Sequence, residues 1–306
     1  MSSVLFIFLD GVGIGENDSH KNPFISGQIN FLSVLFGKNP TLNESTIEKN
    51  NLFVFPIDAN LDVDGLPQSG SGQTAIFTGE NASKIIGRHF GPFPHSEFLP
   101  LLESKSIYTD LQRKNKKVYF ANAYPPVFFE YLNSGKKRTS VSTMVSRLNN
   151  VKINSINELL NKEALTAEVT NHRWNQRLKM NLPVRSIDES VEVLLALSEK
   201  NDFTFYEYFL TDHFGHGRNL NEADENLNIL SEFICKLINA NKKLSIFISS
   251  DHGNIEDLSI KTHTRNPALG IAAGVNSEFF FNRIKSLTDI KKTLIEVILD
   301  KELSDS

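Results

Sequence analysis

The chain has 306 residues, 40% hydrophobic and 22% charged, with 32 basic side chains against 36 acidic ones and a formal net charge of -4. With no basic tail or Lys/Arg block, that balance argues against a nucleic-acid partner. No apolar stretch is long enough to span a bilayer, and a lone cysteine, Cys235, rules out an intramolecular disulfide framework. The expectation is a cytoplasmic globular protein with a large core and a smaller accessory unit.

In chain order, Ser3 to Leu9 is apolar and reaches Asp10, so it reads as a buried strand and not as a signal peptide. Small residues then crowd the segment Gly65-Leu-Pro-Gln-Ser69-Gly-Ser71-Gly-Gln-Thr74, ahead of a helical pattern over Gly72 to Ile86. Helical spacing returns over Glu97 to Arg113, and Val118 to Ala121 reads as a strand. From 125 to 183 periodicity fades and Asn, Lys, Arg, Ser and Thr accumulate. This region is expected to be an inserted cap between two stretches of core, 1–124 and 184–306. Ser186-Ile-Asp-Glu189 is a capping box that opens a helix carrying Val191, Leu194, Leu195 and Leu197. A strand at Phe203–Leu210 and a helix over Asn221–Ala240, with Cys235 as a packed thiol, come next. Strands at Leu244–Ser249 and Leu269–Ala273 and a helix over Leu287–Leu299 complete the pattern. Such alternation predicts an α/β fold of three layers, a largely parallel sheet with helices on both faces.

Three aspartates follow three of these strands: Asp10, Asp212 and Asp251. Ligands of open α/β sheets collect beyond the carboxyl ends of the strands. A lone Asp there is ordinarily a turn former or helix cap, but here imidazoles accompany the carboxylates. Asp212-His213-Phe-Gly-His216 puts Asp212 and His216 on one face if the segment turns helically. Asp251-His252-Gly-Asn254 supplies two adjacent ligands, and His263 follows in Thr-His-Thr-Arg-Asn-Pro. Imidazole with carboxylate suits Zn²⁺ or Mn²⁺ better than an all-oxygen cation. Ser69 sits near a helix N-terminus, where backbone N–H groups and the helix dipole favour an alkoxide or phosphate. A metal held by Asp10, Asp251 and His252 would activate its hydroxyl. Ser71 is the rival nucleophile and Thr74 a more distant one. No Gly-Lys-Ser/Thr is present, so this is not a Walker loop.

Taken in order, Leu9-Asp10-Gly11, the Ser69 segment ending in Thr78-Gly79, Asp212-x-x-x-His216, Asp251-His252-Gly253-Asn254 and His263-Thr-x-Asn-Pro267 resemble the alkaline phosphatase superfamily. The resemblance is closest to the branch of cofactor-independent phosphoglycerate mutase and phosphopentomutase. It implies two divalent metal ions (Mn²⁺ or Zn²⁺). One would be held by Asp212, His216 and His263 and the other by Asp10, Asp251 and His252, with Ser69 bridging toward both. It also implies a phosphoseryl intermediate on Ser69, whose ten-residue spacing to Gly79 matches the family. Gln73 stands where the mutases carry His, and the sulfatase pattern x-Pro-x-Arg after the nucleophile is missing. The expected function is hydrolysis, or transfer within one substrate, of a phosphate monoester from a small phosphorylated metabolite. A phosphodiesterase or phosphonate hydrolase on the same site, or a non-catalytic metal-binding protein of this fold, are the alternatives. Arg88, Arg265 and Asn254 are candidate substrate-binding residues.

Overall fold

A computed structural model describes residues 3–136, 138–241 and 243–299. Among these, seven strands form one sheet in the order β2-β3-β7-β6-β1-β5-β4. The strands are β1 (Val4–Leu9), β2 (Ile47–Lys49), β3 (Leu52–Ile57), β4 (Val118–Phe120), β5 (Phe203–Tyr208), β6 (Ser245–Ser249) and β7 (Ala268–Gly274). β1 pairs in parallel with β5 and β6, and β4 with β5, while β7 runs antiparallel to both β6 and β3, and β2 antiparallel to β3. Five strands therefore point one way, and β2 and β7 the other.

The centre of the sheet follows from its side chains. β1 is buried along its whole length, as a parallel strand covered on both faces must be. Leu5, Ile7 and Leu9 pack into the core on one face, under the helices Ile187–Lys200 and Ala223–Ala240. Val4, Phe6 and Phe8 pack on the other, with residues of the helices Ser69–Thr78 and Leu287–Leu299. Phe6 lies 5.3 Å from Phe205 and 5.4 Å from Phe247 between ring centroids, so cross-strand aromatic contacts hold the parallel strands in register. The one-to-one pairing Val4↔Phe203 and Val4↔Ser245 brings the ends of β1, β5 and β6 level. Their loops consequently open on one side of the sheet.

Several elements differ from the sequence reading. The small-residue helix begins at Ser69 and ends at Thr78, because Gly79 adopts φ +72 and caps it; Ala82–Ile85 is a separate short helix. The segment 97–113 breaks into two helices, with Ser106 capping the second by accepting from Thr109 N. β5 stops at Tyr208, and Leu210–Gly215 is already helical. β2 and β3 were not expected. Pro56 interrupts the apolar run of β3, and it is tolerated because β2 pairs only with Leu52 to Val54, leaving Pro56 without a neighbour on that side. The capping box at Ser186 and Glu189 has both its hydrogen bonds.

Between 125 and 183 the chain forms four short helices, Pro126–Asn133, Val141–Leu148, Ile156–Leu160 and His172–Leu178. Val141 and Val145 join the core beneath the Ser69 helix, and Leu165 and Val169 join the one on the opposite face. A small separate cluster gathers Leu159, Ala164, Trp174 and Leu182 around Ala123. No helix among the described residues is long and apolar enough to cross a membrane.

Candidate metal centre

Asp10 leaves the end of β1, and Gly11 follows with φ +66. A Cβ on Gly11 would come within 2.8 Å of Asp212 Oδ1, so both the backbone conformation and the close approach require glycine. Asp251 and His252 leave β6 and are completely buried. Asp212 lies on the short helix after β5, and the chain does turn helically there, with His216 N donating to Asp212 O at 3.0 Å. His263 comes from the loop before β7 and is 7% exposed. Ser69 is the first residue of its helix and is buried.

These side chains form two groups. His216 Nε2 lies 3.1 Å from His263 Nε2, and the two lie 3.4 and 3.5 Å from Asp212 Oδ1. His252 Nε2 lies 3.6 Å from Asp10 Oδ1, 3.6 Å from Asp251 Oδ2 and 3.0 Å from Ser69 Oγ. Asp212 also stands close enough to Asp10 and His252 to share an ion with them.

The tautomers are set from outside. His216 Nδ1 is 2.8 Å from Lys261 O, His263 Nδ1 2.6 Å from Pro67 O, and His252 Nδ1 3.3 Å from Gly253 O. A carbonyl can only accept, so each Nδ1 carries the proton and each Nε2 turns a lone pair toward the carboxylates. Three imidazole lone pairs and three carboxylates converge with more acceptors than the few donors nearby can satisfy, and Asp10 Oδ1 is buried without a hydrogen-bond partner. A cation resolves this arrangement. Bonds of about 2.0–2.1 Å to a tetrahedral Zn²⁺ place neighbouring ligand atoms about 3.3 Å apart, close to the spacings in the first group. The donor chemistry fits Zn²⁺ or Mn²⁺.

The charges explain the acidities of the cation-free protein. Burial, then the neighbouring carboxylates Asp251, Asp212 and Glu207, push Asp10 well above the usual carboxylate range. Burial also acts to raise Asp212, but hydrogen bonding from His263, the His252 ring and Asn254 outweigh it and hold Asp212 below its ordinary value. Burial lowers His252, whereas the hydrogen bond to Asp212 overcomes burial and raises His263.

Among the hydroxyls near the helix start, only Ser69 meets the cluster. Ser71 Oγ donates to Gln68 O and accepts from Phe90 N, and Thr74 Oγ1 donates to Gly70 O at 2.6 Å. Asn254 is buried beside Asp212, donating from Nδ2 to Oδ1 at 2.7 Å. Arg88 and Arg265 are exposed. Arg88 lies over the Phe90 ring in a hollow beside Gln68, and Arg265 stands 4.0 Å from Asp64 in another hollow that includes His263.

The family comparison agrees with this geometry: residues 2–301 match the model of the family described as Metalloenzyme superfamily. The chain belongs to the Metalloenzyme superfamily. A 2,3-bisphosphoglycerate-independent phosphoglycerate mutase of Metamycoplasma hominis is 31% identical over 126 residues, a match spanning 38% of this chain and 25% of that protein. Among solved structures, the PH0037 protein of Pyrococcus horikoshii is similar with a TM-score of 0.53 at 11% identity, covering 98% of each chain. An alkaline phosphatase from the Antarctic bacterium TAB5 has a TM-score of 0.52 at 14% identity, covering 97% of this chain and 98% of its own. The fold is thus that of alkaline phosphatase-like metalloenzymes.

Supporting residues of this superfamily member escaped the sequence reading. Buried Glu256 accepts from Gly13 N at 3.0 Å, Asn254 N at 2.7 Å, Thr264 Oγ1 at 2.5 Å and Asn266 Nδ2 at 3.0 Å, tying the loops after β1 and β6 to the one before β7. Ser250 Oγ accepts from Val12 N and donates to His252 O. Gln73, one turn beyond Ser69, donates to Asp251 Oδ2 at 3.3 Å. Glu207, buried on β5, accepts from Ser142 Oγ at 2.6 Å; burial pushes its carboxyl up to about 7, the Ser142 hydrogen bond opposes this, and Asp251 adds to it. A glutamate inside the aromatic strand FTFYEY was a visible signal for Glu207, since an acid is seldom fully buried without a use. Nothing in the sequence around Glu256 marked it.

Proposed function

We propose that this protein transfers the phosphoryl group of a phosphate monoester from a small metabolite, with Ser69 as nucleophile and two divalent cations, Zn²⁺ or Mn²⁺, as cofactors. The observation that carries the proposal is the position of Ser69 Oγ, 3.0 Å from His252 Nε2 at the edge of six converging metal-type ligands. Asp212, His216 and His263 would hold one cation, and Asp10, Asp251 and His252 the other. When bound, the cations lower the pKa of the hydroxyl and offset charge on the phosphoryl oxygens.

The remaining chemistry is done by the chain. The first turn of the Ser69–Thr78 helix fixes the hydroxyl, and its positive end favours the dianionic group that approaches. Ser69 Oγ gives its proton to solvent and forms a bond to phosphorus as the bond to the leaving oxygen breaks, and that oxygen takes a proton from water. In the second half the oxygen of water, or of a second hydroxyl on the same substrate, loses a proton to solvent and forms the new bond to phosphorus, while Ser69 Oγ departs and takes a proton back from water. The Nδ1 hydrogen bonds keep the three imidazoles from rotating throughout. Gln73 and Asn254 hold Asp251 and Asp212 in the same way.

The test is a rapid-quench reaction of the Mn²⁺- or Zn²⁺-loaded protein with phenyl phosphate, followed by mass spectrometry of the peptide holding Ser69. A phosphate on Ser69 that appears and decays at the turnover rate is expected. Label on Ser71 instead, or turnover confined to diesters, defeats the reading.

A further inference from the structure

Beside the metal centre lies a cavity of about 310 Å³, within the size range of ligand pockets. It opens beyond the carboxyl ends of β4 and β5, the same side of the sheet from which Asp10, Asp212 and Asp251 emerge. Phe209 and Leu210 form one wall, and Leu210 begins the helix that carries Asp212 two residues later, about 3 Å along its axis. Asn122, on the facing wall, locks onto β5, accepting from Glu207 N at 2.7 Å and donating to Glu207 O at 2.8 Å.

Four aromatic side chains line this space: Tyr124, Phe128, Trp174 and Phe209. Tyr124 and Phe128 are stacked on one another at 4.2 Å, and both line the space. The two guanidiniums on the walls share one carboxylate. Arg173 Nε lies 3.3 Å and Arg177 Nη2 3.0 Å from the carboxylate of buried Glu222. Glu168, buried as well, accepts from Arg173 N at 3.2 Å, and burial raises its carboxyl above the ordinary range. Both guanidiniums thus converge on the one carboxylate of Glu222, and the rest of the lining is largely aromatic and apolar.

We propose that this cavity receives the organic part of the substrate, and that this part carries a planar ring. The assignment rests on the phosphate-ester reading of the metal centre and narrows its substrate class to esters with an aromatic or heteroaromatic group. A short aliphatic chain would leave this aromatic lining unused. Segment 125–183 provides Phe128 and Trp174, so it acts as the specificity wall of the site.

Trp174 is the chain's single tryptophan and reports directly on occupancy. Titrate the metal-loaded Ser69→Ala protein, which binds without turnover, with phenyl phosphate and with glycerol phosphate while following tryptophan emission. A saturable change is expected with phenyl phosphate and none with glycerol phosphate. Phe128→Leu, which keeps apolar bulk at a half-buried position but removes the ring face, should weaken phenyl phosphate binding by at least about threefold. Unchanged emission with phenyl phosphate, an equal response to glycerol phosphate, or undiminished affinity in Phe128→Leu each overturns the assignment. Turnover is measured separately on wild type. If neither ester reacts while ring binding saturates, phosphoryl transfer fails and ring recognition stands; the opposite pattern removes only the cavity assignment.

Discussion

The two groups of ligands share a chemistry but differ in depth. In the inner one, the Asp251 and His252 side chains are fully covered and Asp10 is 13% exposed; in the outer one, His216 is 21% and Asp212 12% exposed. The inner residues leave adjacent central strands whose register fixes them. The outer residues come from a six-residue helix and a loop. Glu207 adds a fourth acid that raises Asp10, in the inner group. Under the two-cation proposal, the inner group should depend more strongly on its ion, and the outer group should exchange ion and substrate with solvent more readily.

Ser69 touches the inner group through His252 and is the proposed nucleophile, so its loss is the largest effect expected. Ser69→Ala should reduce turnover by at least about a thousandfold. Metal analysis should still find two ions per chain. A protein that retains only one would show that the hydroxyl matters mainly as a ligand, merging the two groups into one unit.

Glu207→Gln tests the electrostatic half of the contrast. In chelated protein the Glu207 carboxyl titrates at about 7 against an ordinary 4.5, so the folded state holds its proton more tightly than the unfolded state. Its stabilising effect is complete below about 4.5 and is lost as pH rises to about 7, a difference of about 3 kcal/mol. Glu207→Gln should flatten that part of the pH profile of Tm in chelated protein. An unchanged slope would mean that Glu207 does not burden the inner group.

Asn254→Ala should act most strongly on the outer group, because its amide holds Asp212, which also approaches the inner group. A partner of this type costs about 10–100-fold in metal affinity when removed. Competition with a chelator should show one ion weakened far more than the other. Equal weakening of both would erase the distinction of depth.

How much of this was legible depends on where the chemistry sits along the chain. Asp10 stands immediately after an uninterrupted apolar run, Asp251 two serines beyond Ile246-Phe-Ile248, and Asp212 shortly after another strand-like run. Their placement at the strand ends could be read from those boundaries alone, as could the shared helical face of Asp212 and His216. β3 was hidden because Pro56 and the edge position it exploits are properties of the pairing, not of the segment. The Nδ1 partners Lys261, Pro67 and Gly253 are backbone carbonyls, and any residue type can supply one, so no letter marks them. The cavity escaped for a related reason: its aromatic faces come from positions 124, 128, 174 and 209 and share no local period.

The smallest effect concerns the rim of the outer group. Arg265 is two residues from His263, its side chain is 60% exposed, and its partner Asp64 is fully in water at 4.0 Å. A pair of this kind adds almost nothing to stability, so Arg265→Ala should leave Tm unchanged. A phosphate dianion approaching the outer ion would still feel the guanidinium, although solvent screens that attraction beyond about 8 Å at physiological salt. The expected result is a rise in KM of less than about fivefold at low ionic strength, shrinking as salt is added, with kcat unchanged. Arg88, held over Phe90, should behave similarly. A tenfold or larger fall in kcat for Arg265→Ala would mean that the arginine reaches the transferred group itself. The outer group would then close over its substrate, and the contrast in depth would apply only to the free enzyme.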